Sequence, residues 1–181
     1  MGYAIANKAF LRGANVTIIS GDVNVKAYDG INIINVISAK DMYNEVINNY
    51  KNYDYIIMSA AVADYTPLNY SSNKIKKSDD DLKIELKRTD DILSYVGKNL
   101  NDGQKLIGFS METENLIENS KAKLIKKNAN MICANSINNK NEGFKSDTNK
   151  ITLIKKDDVI FLPFDTKDNL ANLILDEIIK L

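Results

Sequence analysis

The sequence predicts an α/β fold in which a mostly parallel sheet carries helices on both faces. Short apolar runs alternate along the chain with amphipathic segments of helical period. The run Tyr55–Met58 is continuously apolar, which is typical of a strand buried on both faces of a parallel sheet. With 181 residues, the chain is expected to form a single domain, 1–181, with a sizeable core.

The first third of the chain predicts two helices and three strands. Good helix formers up to Arg12 are followed by Gly13, a typical helix stop. Ser38, with Asp41 three residues later, indicates a capping box at the start of the second helix. In chain order we expect a helix over 1–12, strands over 15–20 and 31–37, a helix over 38–50 and the strand over 55–58.

The remainder continues the alternation and ends in an amphipathic helix. We expect a short strand at 83–86, a helix from 89 to about 100, a strand at 105–111, a helix capped by Thr113 and running to Lys127, a strand at 130–135, two strands joined by a tight turn at 156–158, and a helix capped by Thr166. The apolar face of the last helix consists of Leu170, Leu173, Ile174, Ile178 and Leu181. This order of elements predicts one Rossmann-like domain.

The composition excludes several classes of protein. Basic and acidic residues number 24 each, so no net charge attracts nucleic acid or an anionic membrane, and no apolar run is long enough to span a bilayer. Histidine is absent, which excludes Ser-His-Asp and Cys-His nucleophile systems and histidine-based zinc sites. The single cysteine, Cys133, lies in an apolar run; it suits a reducing cytoplasm and predicts a core side chain.

A candidate binding site follows the strand at 55–58. Ser59, Ala60 and the next three residues are small, so a flat ligand could approach the backbone closely. Asp64 places a carboxylate just past the carboxyl end of the strand, where open α/β sheets bind their ligands. Taken alone, the stretch is equally compatible with a core strand followed by a polar loop.

A charged stretch over 73–88 interrupts the alternation. Lys74, Lys76 and Lys77 precede an acidic turn. A solvated run of charge is the commoner explanation of such a stretch. The alternative is a flap whose lysine closes over a polyphosphate, where burial by the flap strengthens the attraction.

The strand after this stretch predicts an arm that extends from the sheet. Leu82, Ile84 and Leu86 alternate with polar or charged residues. An exposed apolar strand face of this kind favours contact with a partner, so we expect a homodimer.

Residues 108–128 hold a second group of candidates. Phe109 ends a strand and is either a core residue or a platform for a base or ribose. Lys123 and Lys127 are four residues apart and therefore share one face of the predicted helix. They are either solvated or reach the phosphates bound by a neighbouring loop.

Four motifs in this order carry a resemblance to a known family: SAAVADY at 59–65, KIKK at 74–77, GFSMET at 108–113 and NMICAN at 130–135. Together they closely resemble phosphopantothenate–cysteine ligase, which in many bacteria is the carboxy-terminal domain of a bifunctional coenzyme A biosynthesis flavoprotein. The resemblance extends from residue 1 to the terminal LILDEI and covers essentially the whole chain.

The resemblance implies a ligase that joins 4′-phosphopantothenate to cysteine with CTP and Mg²⁺. The substrate carboxylate would attack the α-phosphate to give an acyl-cytidylate and pyrophosphate, and the cysteine amine would then displace CMP. Such a reaction needs positioning and neutralisation of phosphate charge, with no protein nucleophile. A decarboxylase domain or protein is implied as a partner, and no flavin is expected on this domain.

The resemblance also implies roles for individual positions. Lys74 would be the catalytic flap lysine on the nucleotide, and Asp64 would bind the cation or the nucleotide. The other positions implied to bind nucleotide are Met58, Ser59, Ala60, Thr89, Asp90, Asp91, Ile92, Phe109, Lys123 and Lys127. Thr89-Asp90 replaces the Asn-Pro of the family. This departure leaves backbone amides at the helix start as the contacts that could still serve.

A further departure concerns the front of the chain. Family members carry an opening strand, a glycine-rich turn and a loop with a catalytic asparagine before the position of Met1. We therefore expect this sequence to be an amino-terminally shortened piece, less stable and less active than an extended version.

Two other functions stay open at this point. A Rossmann-type NAD(P)-binding oxidoreductase fits the fold class, although the chain has no glycine-rich fingerprint. A non-catalytic fragment that only binds nucleotide is the other alternative. The selectivity for CTP over ATP is open as well.

Overall fold

A computed structural model describes residues 1–71, 73–75, 82–136 and 146–181. The helices are α1 (Gly2–Leu11), α2 (Ala39–Asn49), α3 (Ile92–Lys98), α4 (Leu116–Lys126) and α5 (Lys167–Ile178), with a short 3-10 turn at Tyr50–Asn52. The strands are β1 (Thr17–Ser20), β2 (Asn32–Asn35), β3 (Tyr55–Met58), β4 (Tyr65–Pro67), β5 (Leu86–Arg88), β6 (Lys105–Glu112), β7 (Met131–Ser136), β8 (Thr148–Asn149), β9 (Ile151–Lys155), β10 (Val159–Phe161) and β11 (Asp165–Thr166).

A five-stranded sheet in the order β10-β9-β7-β6-β3 forms the centre. β3, β6 and β7 run parallel, and β9 and β10 add two antiparallel strands at one side. β1 and β2 form a separate parallel pair, β4 and β5 form an antiparallel hairpin, and β8 pairs with β11. The predicted α/β class is confirmed.

The sheet separates two hydrophobic cores. Consecutive residues of a strand point to opposite faces, and Leu106 and Ile107 accordingly lie in different cores. α1 and α5 cover the face of Ile107, while α3 and α4 cover the face of Leu106. No helix within the described ranges is both long and apolar enough to cross a membrane.

Of the three predicted helix caps, two are confirmed and one is wrong. Ser38 and Asp41 form the capping box of α2, and the Thr166 hydroxyl accepts a hydrogen bond from the Asn169 amide at the start of α5. Thr113 does not cap α4. The helix begins after Asn115, whose own backbone is in the left-handed conformation (φ 50°). The reason is that β6 continues to Glu112, paired with β7, so the chain still has to reverse direction.

The prediction that Tyr55–Met58 is buried on both faces is wrong. Tyr55 is 46% exposed and the next three residues are half-buried. β3 lies at the edge of the five-stranded sheet and pairs with β6, whereas β1 pairs with β2 in a separate two-stranded sheet. The strand expected at 83–86 is β5, and it lies further along the chain. Its position follows from its pairing with β4, which begins with Pro67 opposite Leu86.

Candidate functional site

The carboxyl edge of the parallel strands brings three predicted residues together. Met58, the last residue of β3, pairs with Gly108, so Ser59 follows the end of β3 next to Phe109. The prediction that Phe109 ends a strand is wrong, because β6 continues to Glu112. Phe109 is half-buried and packs against the core on the α1 and α5 side. Ala60 is exposed in the loop after β3.

The start of α1 also lies at this edge. A Cβ on Gly2 would lie 2.4 Å from Oγ of Ser59, so a larger residue at position 2 would require the Ser59 side chain to move. The site is therefore bounded by α1, the loop after β3 and Phe109.

Asp64 and Thr89 are adjacent, although 24 intervening residues separate them in the sequence. The Thr89 amide donates to the Asp64 carbonyl oxygen over 3.0 Å, and the Thr89 hydroxyl donates to the Ala63 carbonyl oxygen over 2.7 Å. The Asp64 carboxylate is exposed and forms no ion pair within the part of the chain that the structure describes. The Asp64 carboxylate is therefore available to bind a ligand.

The side chains of Asp90 and Asp91 contact other parts of the chain. Lys40 donates to Asp90 over 3.0 Å, and Lys127 forms a short ion pair with Asp91. Asp91 also accepts the Ser94 amide over 2.9 Å and thereby caps α3. Burial raises the pKa of Asp91, but the hydrogen bonds from Lys127 and the Ser94 amide outweigh it and hold that pKa below its ordinary value.

The two candidate lysines of α4 differ in their surroundings. Lys127, the residue that ends α4, is paired with Asp91, and its side chain is only 13% exposed. Lys123 is half-buried and forms no ion pair within the described ranges. Ile92, predicted beside the nucleotide, is buried at the first position of α3.

Lys74 is exposed in the connection between β4 and β5. No contact among the described residues joins its ammonium to Asp64 or to Phe109. Lys76, Lys77 and the acidic turn that follows them lie outside the described residues. The flap interpretation stays a prediction.

Asp64 is also the predicted metal ligand. The described ranges contain no group of three or more His, Cys, Asp or Glu side chains that could hold a metal ion. Mg²⁺ usually takes one or two carboxylates together with substrate phosphates rather than an all-protein cage. One exposed carboxylate at the sheet edge therefore fits a cation that arrives with a polyphosphate.

Two buried residues of β7 complete the description of this edge. Asn135 is 8% exposed, and its Oδ1 has no hydrogen-bond partner among the residues that the structure describes. A polar residue at the end of an apolar run was the available signal for it. Cys133 is fully buried, and burial raises the pKa of its thiol far above the ordinary value, so it is no nucleophile.

Comparison with known proteins gives close relatives over the whole chain. The chain is 39% identical over 183 residues to the coenzyme A biosynthesis bifunctional protein CoaBC of Vibrio parahaemolyticus, covering 100% of this chain and 46% of that protein. It is 38% identical over 183 residues to a cysteine/cysteine sulfinic acid decarboxylase from an unknown prokaryotic organism, covering 100% of this chain and 51% of that protein. The chain thus spans about half the length of these curated relatives.

The fold matches a solved structure. The crystal structure of the C-terminal domain of a coenzyme A biosynthesis bifunctional protein CoaBC superposes with a TM-score of 0.81 at 40% identity, covering 98% of this chain and 79% of that one. The model of the DNA/pantothenate metabolism flavoprotein C-terminal domain matches residues 1–181. Because that match takes in the full length of the sequence, the chain belongs to the DNA/pantothenate metabolism flavoprotein C-terminal domain family.

Proposed function

We propose that the chain is a ligase domain that joins 4′-phosphopantothenate to cysteine with CTP as co-substrate. The observation that carries this proposal is the family match over residues 1–181, which includes all four motifs that resemble phosphopantothenate–cysteine ligase. Since the chain spans about half of its curated relatives, the activity of the longer protein is itself part of the proposal.

The reaction would proceed in two displacements. A carboxylate oxygen of 4′-phosphopantothenate would attack the α-phosphorus of CTP, and the bond to the bridging oxygen would break to release pyrophosphate. The amine of cysteine would then attack the acyl carbon and lose a proton, while CMP leaves with the electron pair of the acyl–oxygen bond. Neither step needs a protein nucleophile, which fits a chain without histidine and with a buried thiol.

The chain would therefore act by positioning and by charge. The small residues after β3 leave room for a base beside the strand end, and Phe109 would line the same space. Lys74 would cover the phosphates as a flexible point charge. Asp64 would hold Mg²⁺ together with phosphate oxygens, and the bound cation would neutralise phosphate charge.

The test is a coupled measurement of pyrophosphate and product mass. Because the first displacement does not involve cysteine, we expect pyrophosphate from 4′-phosphopantothenate and CTP alone, but phosphopantothenoylcysteine only when cysteine is also present, and lower rates with ATP. Calorimetric titration with CTP, ATP and NADPH separates the alternatives. Binding of NADPH without CTP would overturn the proposal, and CTP binding without product would indicate a nucleotide-binding fragment. Release of CO₂ from cysteine would instead point to the decarboxylase activity in the name of the second relative.

A further inference from the structure

Three consecutive residues connect the β4–β5 hairpin to α3, and each contacts a different element. Thr89 contacts the loop after β3, Asp90 contacts Lys40 in α2, and Asp91 contacts Lys127 at the end of α4. A short segment of irregular backbone is thus joined to three other parts of the domain.

The loop over 59–64 depends on such contacts for its position. It joins β3 to β4 without regular secondary structure, and four of its six residues are exposed. Alanine and serine side chains offer little area for packing, and segments with few packing contacts open easily. The conformation of this loop is therefore determined largely by where its backbone is hydrogen-bonded.

Thr89 supplies two of these hydrogen bonds. Its amide and its hydroxyl donate to two successive carbonyl oxygens, those of Asp64 and Ala63, over 3.0 and 2.7 Å. Two donors from one residue on two adjacent acceptors define both the position and the orientation of this backbone. The Asp64 carboxylate, attached to the same short stretch, is oriented with it.

The anchor of Thr89 is the ion pair two residues later. The Lys40–Asp90 pair is 62% and 49% exposed at its two side chains, so water screens it. Lys127 is only 13% exposed, whereas Asp91 is 52% exposed and is held from its other oxygen by the Ser94 amide. The Asp91–Lys127 pair is therefore the stronger of the two attachments.

We infer that Thr89 is a positioning residue of the nucleotide site, which holds the Ala63–Asp64 backbone in place and is itself anchored to α4 through Asp91 and Lys127. The inference rests on the proposed function, because it takes the loop over 59–64 to be the nucleotide-binding loop. Thr89-Asp90, which departs from the Asn-Pro of the resembling family, thereby gains a role within this chain.

Hydrogen exchange read by mass spectrometry tests the role of Thr89 directly. Thr89→Val keeps the shape of the side chain and removes the hydroxyl, whereas Thr89→Ser keeps the hydroxyl. Thr66→Val is the matched control, because the hydroxyl of Thr66 in β4 makes no hydrogen bond within the described part of the chain. Peptides from β6 and β7 report on global stability.

We expect the exchange of the residue-89 amide, which donates to the Asp64 carbonyl oxygen, to rise about fivefold relative to its intrinsic rate in Thr89→Val, the factor that one net hydrogen bond gives. Thr89→Ser and Thr66→Val should leave it unchanged. In steady-state assays the KM for CTP should rise by about the same factor in Thr89→Val, with kcat within about twofold of the wild type. Unchanged exchange of the residue-89 amide in Thr89→Val would overturn the inference, as would a fall in kcat at constant KM.

Lys127→Met tests the anchor at a distance from the loop, with Lys121→Met on the exposed face of α4 as its control. Exchange over 89–98 should rise at least about threefold in Lys127→Met alone. Equal exchange in the two variants would contradict the anchoring role. A wild-type chain that binds no CTP would refute the proposed function. Because exchange is measured without nucleotide, it would still decide whether Thr89 and Lys127 hold the loop and α3 in place.

Discussion

The α-carbon of Gly97 in α3 faces the backbone carbonyl oxygen of Lys127, and a Cβ at Gly97 would lie only 1.8 Å from that oxygen. The Asn128 side-chain amide donates to the Gly97 carbonyl oxygen over 2.6 Å at the same place. The two helices are thus joined by a close backbone approach and by a hydrogen bond. A residue without a side chain at 97 is a requirement of this packing.

We predict that Gly97→Ala destabilises the domain by about 3 kcal/mol, because backbone atoms cannot yield as a side chain can. Urea unfolding followed by circular dichroism measures the change. Gly21→Ala is the control, since a Cβ there would meet no atom within 4 Å, and it should change stability by less than about 1 kcal/mol. Similar midpoints for the two variants would show that α3 and α4 can separate at little cost.

The lysine of the proposed flap can be tested against its neighbour. Lys74→Ala should lose about 2–4 kcal/mol of transition-state stabilisation, measured as kcat/KM for CTP, because it would remove a charge from the phosphates in a closed site. Lys76→Ala removes the same charge two residues later and should have little effect. Equal losses in the two variants would indicate a solvated charge run in place of a flap.

The arm predicts a homodimer that can be dissociated by mutation. Leu82, Ile84 and Leu86 are 65%, 62% and 58% exposed, which leaves a row of large apolar side chains without cover in the isolated chain. Sedimentation velocity at micromolar concentration should show a dimer for the wild type and a monomer for Ile84→Asp. Lys87→Asp, which changes a neighbouring charged residue, is the control. A wild-type chain that is strictly monomeric would contradict this prediction.

The pH dependence of stability should reflect Glu177 in α5. Lys155 donates to its carboxylate over 2.6 Å and Lys180 donates to the other oxygen, and these hydrogen bonds hold the pKa of Glu177 below its ordinary value. A lowered pKa contributes stability above the unfolded pKa of about 4.3, and that stability is lost as the pH falls through the folded pKa.

Glu177→Gln should therefore lower the free energy of unfolding by about 1 kcal/mol at pH 7, and the difference from the wild type should shrink towards pH 3. Chemical denaturation at the two pH values measures it. Glu118→Gln, on the exposed side of α4, should have no effect at either pH. A difference that is as large at pH 3 as at pH 7 would exclude the ionised pair as its cause.

The sequence by itself determined the elements and the edge of the sheet at which a ligand would bind. Capping of α2 by Ser38 and of α5 by Thr166 depends on residues three positions apart, so the pattern is readable without the fold. The alternation of apolar residues that builds the two cores is equally local. The order of strands and helices then places Ser59 and Asp64 after the parallel strand β3, whereas Phe109, predicted to end a strand, lies inside β6.

Tertiary structure alone decided which of the predicted side chains contact one another. Asp91 and Lys127 are 36 residues apart and Lys40 and Asp90 are 50 apart, so each pairing depends on where α2, α3 and α4 lie on the sheet. The same holds for the edge position of β3, which follows from strand pairing rather than from its apolar run. Contacts between residues so far apart in the sequence depend on how whole helices and strands pack. The charge or apolarity of a single residue therefore does not reveal which residue it will contact.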